Sequence, residues 1–178
     1  MKRKVILYIA VSIDGFIADT QGGIDFLGEV TVDKPVSDDS YERFYETIDT
    51  VVMGRTTYRQ VVEELSPDHY PYEGVKSYVL TTQQHLEAKE GVQFVNESVV
   101  SLIERLLAEE GGNIWLVGGA SLIAPLIKAD LIDEYNLTTV PVILGQGISL
   151  FEGNSTKRHL KLKEITAVNG MSSQVYTR

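Results

Sequence analysis

The chain has 178 residues, no cysteine and a formal net charge of −9. That length suits one domain, residues 1–178, with a sizeable core. The acidic balance argues against nucleic-acid binding, which needs basic surface, and the lack of cysteine rules out disulfides and thiolate metal sites.

The basic start Met1-Lys2-Arg3-Lys4 followed by an apolar run has the outline of a short signal peptide. The run ends at Ser12-Ile13-Asp14-Gly15 without a small-residue cleavage pattern, and it is too short to span a bilayer. Val5–Val11 reads instead as a buried first strand with both faces covered. Tyr41, Phe44, Tyr45 and Ile48 recur at helical spacing, with Asp38 or Asp39 placed to cap the helix and Asp39 with Glu42 imitating a capping box. Thr50–Met53 is a short strand ending at Gly54, and Tyr58, Val61, Val62 and Leu65 repeat the helical spacing. Ser77–Thr81 and Val92–Val95 read as strands, and Val99, Leu102, Ile103, Leu106 and Leu107 as the stripe of a helix capped by Ser98 or Ser101. Asn113–Val117 is a strand that runs into Gly118-Gly119, and Leu122, Ile123, Leu126 and Ile127 line the next helix, with Pro125 expected near its first turn. Glu134–Val142 reads as a long strand and Gly145-Gln146-Gly147 as a turn. Leu160–Val168 and Ser173–Thr177 form a hairpin around Asn169-Gly170. No repeat or linker interrupts the chain. Strands alternating with helices predict an α/β fold with a mostly parallel central sheet, made mixed by the terminal antiparallel hairpin.

Two strand-to-helix junctions carry residues suited to phosphate. At Met53-Gly54-Arg55-Thr56-Thr57 a glycine, a cation and two hydroxyls precede a helix, whose free N–H groups favour anions. The alternative is an ordinary turn with Thr56 as cap. At Val117-Gly118-Gly119-Ala120-Ser121 adjacent glycines allow close approach to the backbone; the alternative is a tight turn. Thr81-Thr82 follows a third strand. Ligands of open α/β sheets collect beyond the carboxyl ends of strands, so three such ends together favour a nucleotide site. The dinucleotide fingerprint G-x-G-x-x-G is absent.

Five segments resemble the dihydrofolate-reductase superfamily, and more closely its branch containing the C-terminal reductase domain of the riboflavin-pathway deaminase/reductase. They are residues 10–18 around Ser12-Ile13-Asp14-Gly15, residues 52–58 around Met53-Gly54-Arg55, residues 117–120, residues 129–134, and Pro141-Val142-Ile143-Leu144-Gly145-Gln146-Gly147 with Leu150-Phe151. The resemblance runs nearly end to end and implies a three-layer α/β/α fold and NADPH as hydride donor. Residue by residue, it makes Gly54, Arg55, Thr56 and Thr57 the loop that holds the cofactor phosphates. Thr81 and Thr82 become the pair near the adenosine phosphate. Val117, Gly118, Gly119, Ala120 and Ser121 become the turn under the pyrophosphate and nicotinamide ribose. Ala10 and Ile17 would flank the nicotinamide, and Arg55 is the candidate cation for the extra phosphate of NADPH.

The catalytic candidates are carboxylates. Asp14 stands at the mouth of the implied site, as a substrate-orienting or proton-transferring group or as a turn former before Gly15. Counting back from Gly54 to the pteridine-anchoring carboxylate of folate reductases lands on Asp38, which is also read as a solvent-facing cap. Phe44 falls out of register with the folate-contacting aromatic, and Tyr41, Phe44 and Tyr45 suit either a substrate wall or core packing. His69, His85 and His159 show no metal spacing, and no metal is expected. The cysteine-ligated zinc of the riboflavin enzyme's deaminase half has no counterpart here. The expectation is an NADPH-dependent reductase acting on a small-molecule substrate, of the 5-amino-6-(5-phosphoribosylamino)uracil reductase type. Reduction of a pteridine, or NADP binding without catalysis, are the alternatives. Lys34 and Arg43 are candidate cations for a substrate phosphate. A homodimer is expected by resemblance, with no membrane partner, in the cytoplasm.

Overall fold

The computed structural model describes residues 2–83, 86–151 and 156–178. Its strands are β1 (Val5–Ser12), β2 (Phe16–Ala18), β3 (Ile48–Gly54), β4 (Lys76–Leu80), β5 (Val92–Val95), β6 (Asn113–Gly118), β7 (Glu134–Val140), β8 (Ile148–Ser149), β9 (Lys161–Val168) and β10 (Met171–Thr177). Its helices are α1 (Ser40–Tyr45), α2 (Arg55–Gln60), α3 (Val99–Leu107) and α4 (Ala120–Lys128). A 3₁₀ turn at Asp25–Gly28 and a π-helical turn at Val61–Leu65 complete them.

One eight-stranded sheet has the order β5-β4-β3-β6-β1-β7-β10-β9. Strands β5 through β7 in that order pair in parallel, and β10 and β9 close the edge antiparallel. The apolar runs of the parallel strands have a simple cause: alternate side chains enter two different cores. Val5, Leu7, Val52, Ile114 and Leu116 meet α3 and α4 on one face. Ile6, Val51, Met53 and Trp115 meet Tyr58, Val61, Tyr70 and Tyr72 on the other. Leu102, Ile103 and Leu106 of α3 are fully buried, each contributing about 1.5–3 kcal/mol by leaving water. The result is the expected α/β/α sandwich.

Several boundaries differ from expectation. Helix α1 ends at Tyr45, and Ile48 opens β3 instead of closing the helix. The capping box does not form. Asp39 makes no side-chain cap bond and pairs with Arg43 at 3.2 Å, whereas Asp38 Oδ1 accepts from the Ser40 N–H at 3.0 Å. Pro125 is the sixth residue of α4, past the first turn, so it removes a helix hydrogen bond that a first-turn proline would not. Strand β7 stops at Val140, before Pro141. Thr56 does not cap α2; Gly54 takes that position. The Ser98 cap forms as read, its Oγ accepting from Ser101 N–H, and the hairpin turns at Asn169 and Gly170, both at positive φ.

Arg3, read only as part of a basic start, is 5% exposed. It donates to the carbonyls of Gly112 (2.8 Å) and Leu106 (2.9 Å), to Thr50 Oγ1 (2.7 Å) and to Asp49. Among the described residues, no helix is long and apolar enough to cross a membrane.

Candidate functional site

Strands β1, β3 and β6 lie side by side, and their carboxyl ends deliver two turns to the same place. Gly54 precedes α2 and Gly119 precedes α4, both in extended conformation and neither assisted by a capping side chain. The Leu122 N–H turns back onto Gly119 O (3.1 Å), and the N–H groups ahead of it in α4 and at the start of α2 are not taken by a capping side chain. A Cβ on Gly54 would stand 3.9 Å from the Gly119 nitrogen, and one on Gly119 would stand 3.6 Å from Thr57 Oγ1. Gly118 has φ +135, a conformation that side-chain-bearing residues rarely adopt, and nothing lies within 4 Å of where its Cβ would be. The Gly118–Gly119 peptide is cis. Over this floor opens a cavity of about 410 Å³, within the size range of small-molecule sites.

The wall opposite is the segment after β1, and hydrogen bonds fix it. Ser12 is buried; its hydroxyl donates to Asp14 Oδ1 (2.7 Å) and accepts from Phe16 N–H (2.9 Å). Asp14 in turn accepts from Leu144 N–H (3.1 Å, Oδ1) and Gly145 N–H (2.7 Å, Oδ2). Strand β2 then pairs with β8. Gly147 is required beside it, because a Cβ there would lie 2.3 Å from the Ala18 carbonyl oxygen. This bracing sets Ile17, Ala18 and Ile148 along the cavity.

The sequence-predicted residues Ala10, Ile17, Thr56, Thr57, Val117, Gly118, Gly119, Ala120 and Ser121 all line this one cavity. Gly54, Arg55, Thr81 and Thr82 do not. Arg55 lies with its guanidinium over the rings of Tyr58 (5.8 Å) and Phe94 (5.9 Å), and its buried Nε has no hydrogen-bond partner among the described residues. Thr81 follows β4, with its N–H bonded to Val95 O and its Oγ1 accepting from Gln83 N–H; Thr82 is exposed.

The third wall was not foreseen. Gly22, Ile24 and Leu27 come from the loop after β2, and Gln60, Val61, Leu65 and Tyr72 from α2 and beyond. Asp19 organises the loop by accepting from the N–H groups of Gln21 (2.7 Å) and Gly23 (2.8 Å). Gln60 Nε2 fastens it to α2 by donating to Gly22 O at 2.8 Å. Burial pushes the Tyr72 phenol up, so its O–H stays protonated. The Gly22-Gly23 pair was the one sequence signal for this loop.

Neither carboxylate candidate stands in the cavity. Asp14 is occupied by its clamp, and the Ser12 hydroxyl, with the Gly145 and Leu144 N–H groups, holds its carboxyl below the usual range. A group that gives up its proton so readily is a poor acid at neutral pH, and its place in the structure is that of a brace. Asp38 is exposed just before α1 and is not among the lining residues. Between α1 and the sheet, Phe44 stacks on Tyr8 (4.2 Å) and meets Trp115 edge-on (5.3 Å); Phe44 and Tyr45 are half-buried against the core, whereas Tyr41 stays exposed. Lys34 is exposed, and Arg43 is held by Asp39. His69 and His159 are exposed, and His85 lies outside the described residues. A wider cleft of about 860 Å³ includes Asp49, Lys76 and Gly91, at the amino ends of β3, β4 and β5. It gathers no strand carboxyl ends, so the smaller cavity has the stronger claim to be the site.

This sheet order, with a glycine-floored cavity at its rim, defines a dihydrofolate-reductase-like fold. The dihydrofolate reductase of Enterococcus faecalis, solved with NADP(H), superposes with a TM-score of 0.63 at 19% identity, over 100% of this chain and 98% of that one. More specifically, the chain belongs to the RibD C-terminal domain family, whose model matches residues 3–171. YwjB of Bacillus subtilis (strain 168) is 44% identical over 163 residues, 92% of this chain and 91% of YwjB. A protein of Shewanella sp. PV-4, provisionally assigned to riboflavin biosynthesis, has a TM-score of 0.81 at 30% identity over 98% of each chain.

Proposed function

We propose that this chain is an NADPH-dependent reductase that reduces a small heterocyclic molecule, working in the cytoplasm as a single-domain subunit of a homodimer. The observation that carries the reading is the meeting of two uncapped strand-to-helix turns over one apolar-walled cavity at the sheet's carboxyl rim. The residues fit an anionic dinucleotide: first-turn N–H groups not taken by a capping side chain, an open glycine floor at Gly118, and a buried Arg55 Nε without an acceptor among the described residues. The NADP(H) held by the Enterococcus faecalis enzyme on the same fold supports the same choice.

The chain's own residues divide the work. Gly54, Arg55, Thr56 and Thr57 would hold phosphates, with Arg55 on the extra phosphate of NADPH and Thr81 and Thr82 toward the adenosine end. Val117 to Ser121 would support the pyrophosphate and ribose, and Ala10 and Ile17 would flank the reacting ring. When bound, the reduced dinucleotide would supply a hydride, one proton with two electrons, to a neighbouring electrophilic carbon. The walls position that carbon and exclude water. The matching proton goes to the acceptor's heteroatom from water, since no carboxylate is among the described lining residues and burial makes the Tyr72 phenol a weaker acid.

The reaction type we assign is that of the riboflavin branch, hydride delivery to the ribosyl carbon of a phosphoribosylamino-uracil. The exposed position of Asp38 disfavours a folate-type pteridine anchor. The test is NADPH binding by fluorescence, followed by NADPH oxidation with a panel of pyrimidines and pteridines. Saturable binding with turnover of a pyrimidine is expected. Binding without turnover across the panel would favour a protein that only holds NADP, and absence of binding would end the reading.

A further inference from the structure

We infer that two copies of this chain pack through the uncharged face of the outer strands β7, β10 and β9, about a two-fold axis that crosses the strands at the level of Gln174; the inference rests on the homodimer of the reductase reading. Strand register sorts the side chains of these strands onto two faces. On the face shared with α3 and α4, three rows follow one another: Tyr135, Tyr176 and Leu162; then Leu137, Gln174 and Ile165; then Thr139, Ser172 and Ala167. None of these side chains is charged at neutral pH. The charged residues of the same strands stand on the opposite face. Glu134 and Lys161 flank Thr177 there, Glu164 lies beside Val175, and Lys163 reaches Glu134 at 3.2 Å.

On the uncharged face, cover falls away strand by strand toward the edge. Tyr135 of β7 is buried, Leu137, Gln174 and Tyr176 are half-buried, and Leu162 and Ile165 of β9 are exposed. A strand that keeps its charges on one face and its apolar side chains on the other has one face suited to burial. In β9 that is the face that the described residues leave in water.

The occupant that suits this face is the same face of a second copy. A chain of net charge −9 repels its own kind, so a self-contact needs a surface without charges, and these rows supply one. Both halves of a complementary fit are present. At the Thr139 end, a groove of about 450 Å³ is lined by Ile13, Thr139, Pro141, Ala167 and Ser172 with the hairpin turn. At the other end stands the exposed Leu162. A two-fold axis across the strands exchanges these ends, so each copy's Leu162 enters the other's groove, as in an isologous interface. Gln174 lies in the middle row, beside the axis. Its Nε2 donates to Ser172 Oγ at 3.0 Å, which leaves a second N–H and the amide oxygen, and an amide is its own hydrogen-bond complement. Ile13 adjoins the Asp14 brace, so the partner closes over the outer side of that segment.

The experiment is sedimentation equilibrium of the full chain, wild type beside Leu162→Lys, Gln174→Glu and Thr166→Lys. Thr166 shares β9 but pairs with Ser173 on the charged face. The wild type and Thr166→Lys should sediment as dimers. Leu162→Lys and Gln174→Glu should dissociate at least about tenfold more readily, with cooperative melts and wild-type circular dichroism. Strand β10 is paired on both sides, so edge-to-edge pairing of β9 alone would be indifferent to Gln174→Glu. A dimer unmoved by Leu162→Lys and Gln174→Glu, or weakened as much by Thr166→Lys, overturns this face and leaves the homodimer standing. A monomeric wild type at micromolar concentration overturns both. NADPH binding, titrated separately, decides the reductase reading and leaves this face untouched.

Discussion

Arg55 carries the charge on which dinucleotide choice would turn. Its Nε is buried without a partner among the described residues, and its guanidinium is already oriented by Tyr58 and Phe94, so little ordering is left for a phosphate to impose. Arg55→Ala should weaken NADPH by about tenfold, roughly 1.4 kcal/mol, and NADH far less; equal loss for both in parallel titrations would take Arg55 off the extra phosphate. Ser121 offers a complementary test, because it is exposed in the first turn of α4 and lines the cavity. Ser121→Phe should reduce NADPH affinity by at least about tenfold while the thermal melt stays cooperative, and undiminished binding would separate this turn from the dinucleotide. What was legible at this scale is adjacency: Ala10, Ile17, Thr56, Thr57 and residues 117–121, picked out at strand ends, line one cavity, whereas Gly54, Arg55, Thr81 and Thr82 do not. Asp14 was read only halfway. Its sequence neighbours suggest a turn, but the partners that tie it down, Leu144 and Gly145, lie far along the chain.

At the scale of elements, the Asp14 clamp and the β2–β8 pair hold one wall of the site. The Asp14 carboxyl is depressed in the folded state, so it stabilises above its unfolded pKa, near 4, and that contribution is lost as pH falls through the folded value. Asp14→Asn should therefore lower the melting temperature at neutral pH, with the difference from wild type closing in acid. The acid limb of its turnover profile should stay in place, whereas a shifted limb would restore Asp14 as proton donor. At the other end of the sheet, Arg3→Leu should cost about 3 kcal/mol in denaturant melts, because Asp49 loses its ion-pair partner and keeps only the Thr50 hydroxyl and the Gly112 N–H, while the Gly112 and Leu106 carbonyls each lose a donor. A change under about 0.5 kcal/mol would show that water replaces the guanidinium. Parallel strands and α3 were legible because burial on two faces or one writes a plain hydrophobic pattern. β2 and β8 were not, at three and two residues, since an alternation needs more length than that. Helix α1 misled because Ile48 continues the stripe by spacing alone, although its side chain belongs to the sheet core.

On the scale of the whole molecule, the third wall draws residues from the loop after β2, from α2 and from Tyr72. No local pattern links such distant segments, and only the tertiary fold brings them together. The sheet's open edge bears on assembly. Strand β9 is exposed almost throughout, with Leu162 and Ile165 at 56% and 62%, and an uncovered apolar edge favours association. Sedimentation should give twice the mass of the 19.8 kDa chain, and Ile165→Lys should shift it toward monomer; a monomeric wild type at micromolar concentration would refute the homodimer. The most direct measurement is isothermal titration of the purified protein with NADPH and, separately, NADH. Saturable binding of one dinucleotide per chain, tighter for NADPH, is the predicted result, and no heat from either at millimolar concentration would contradict it.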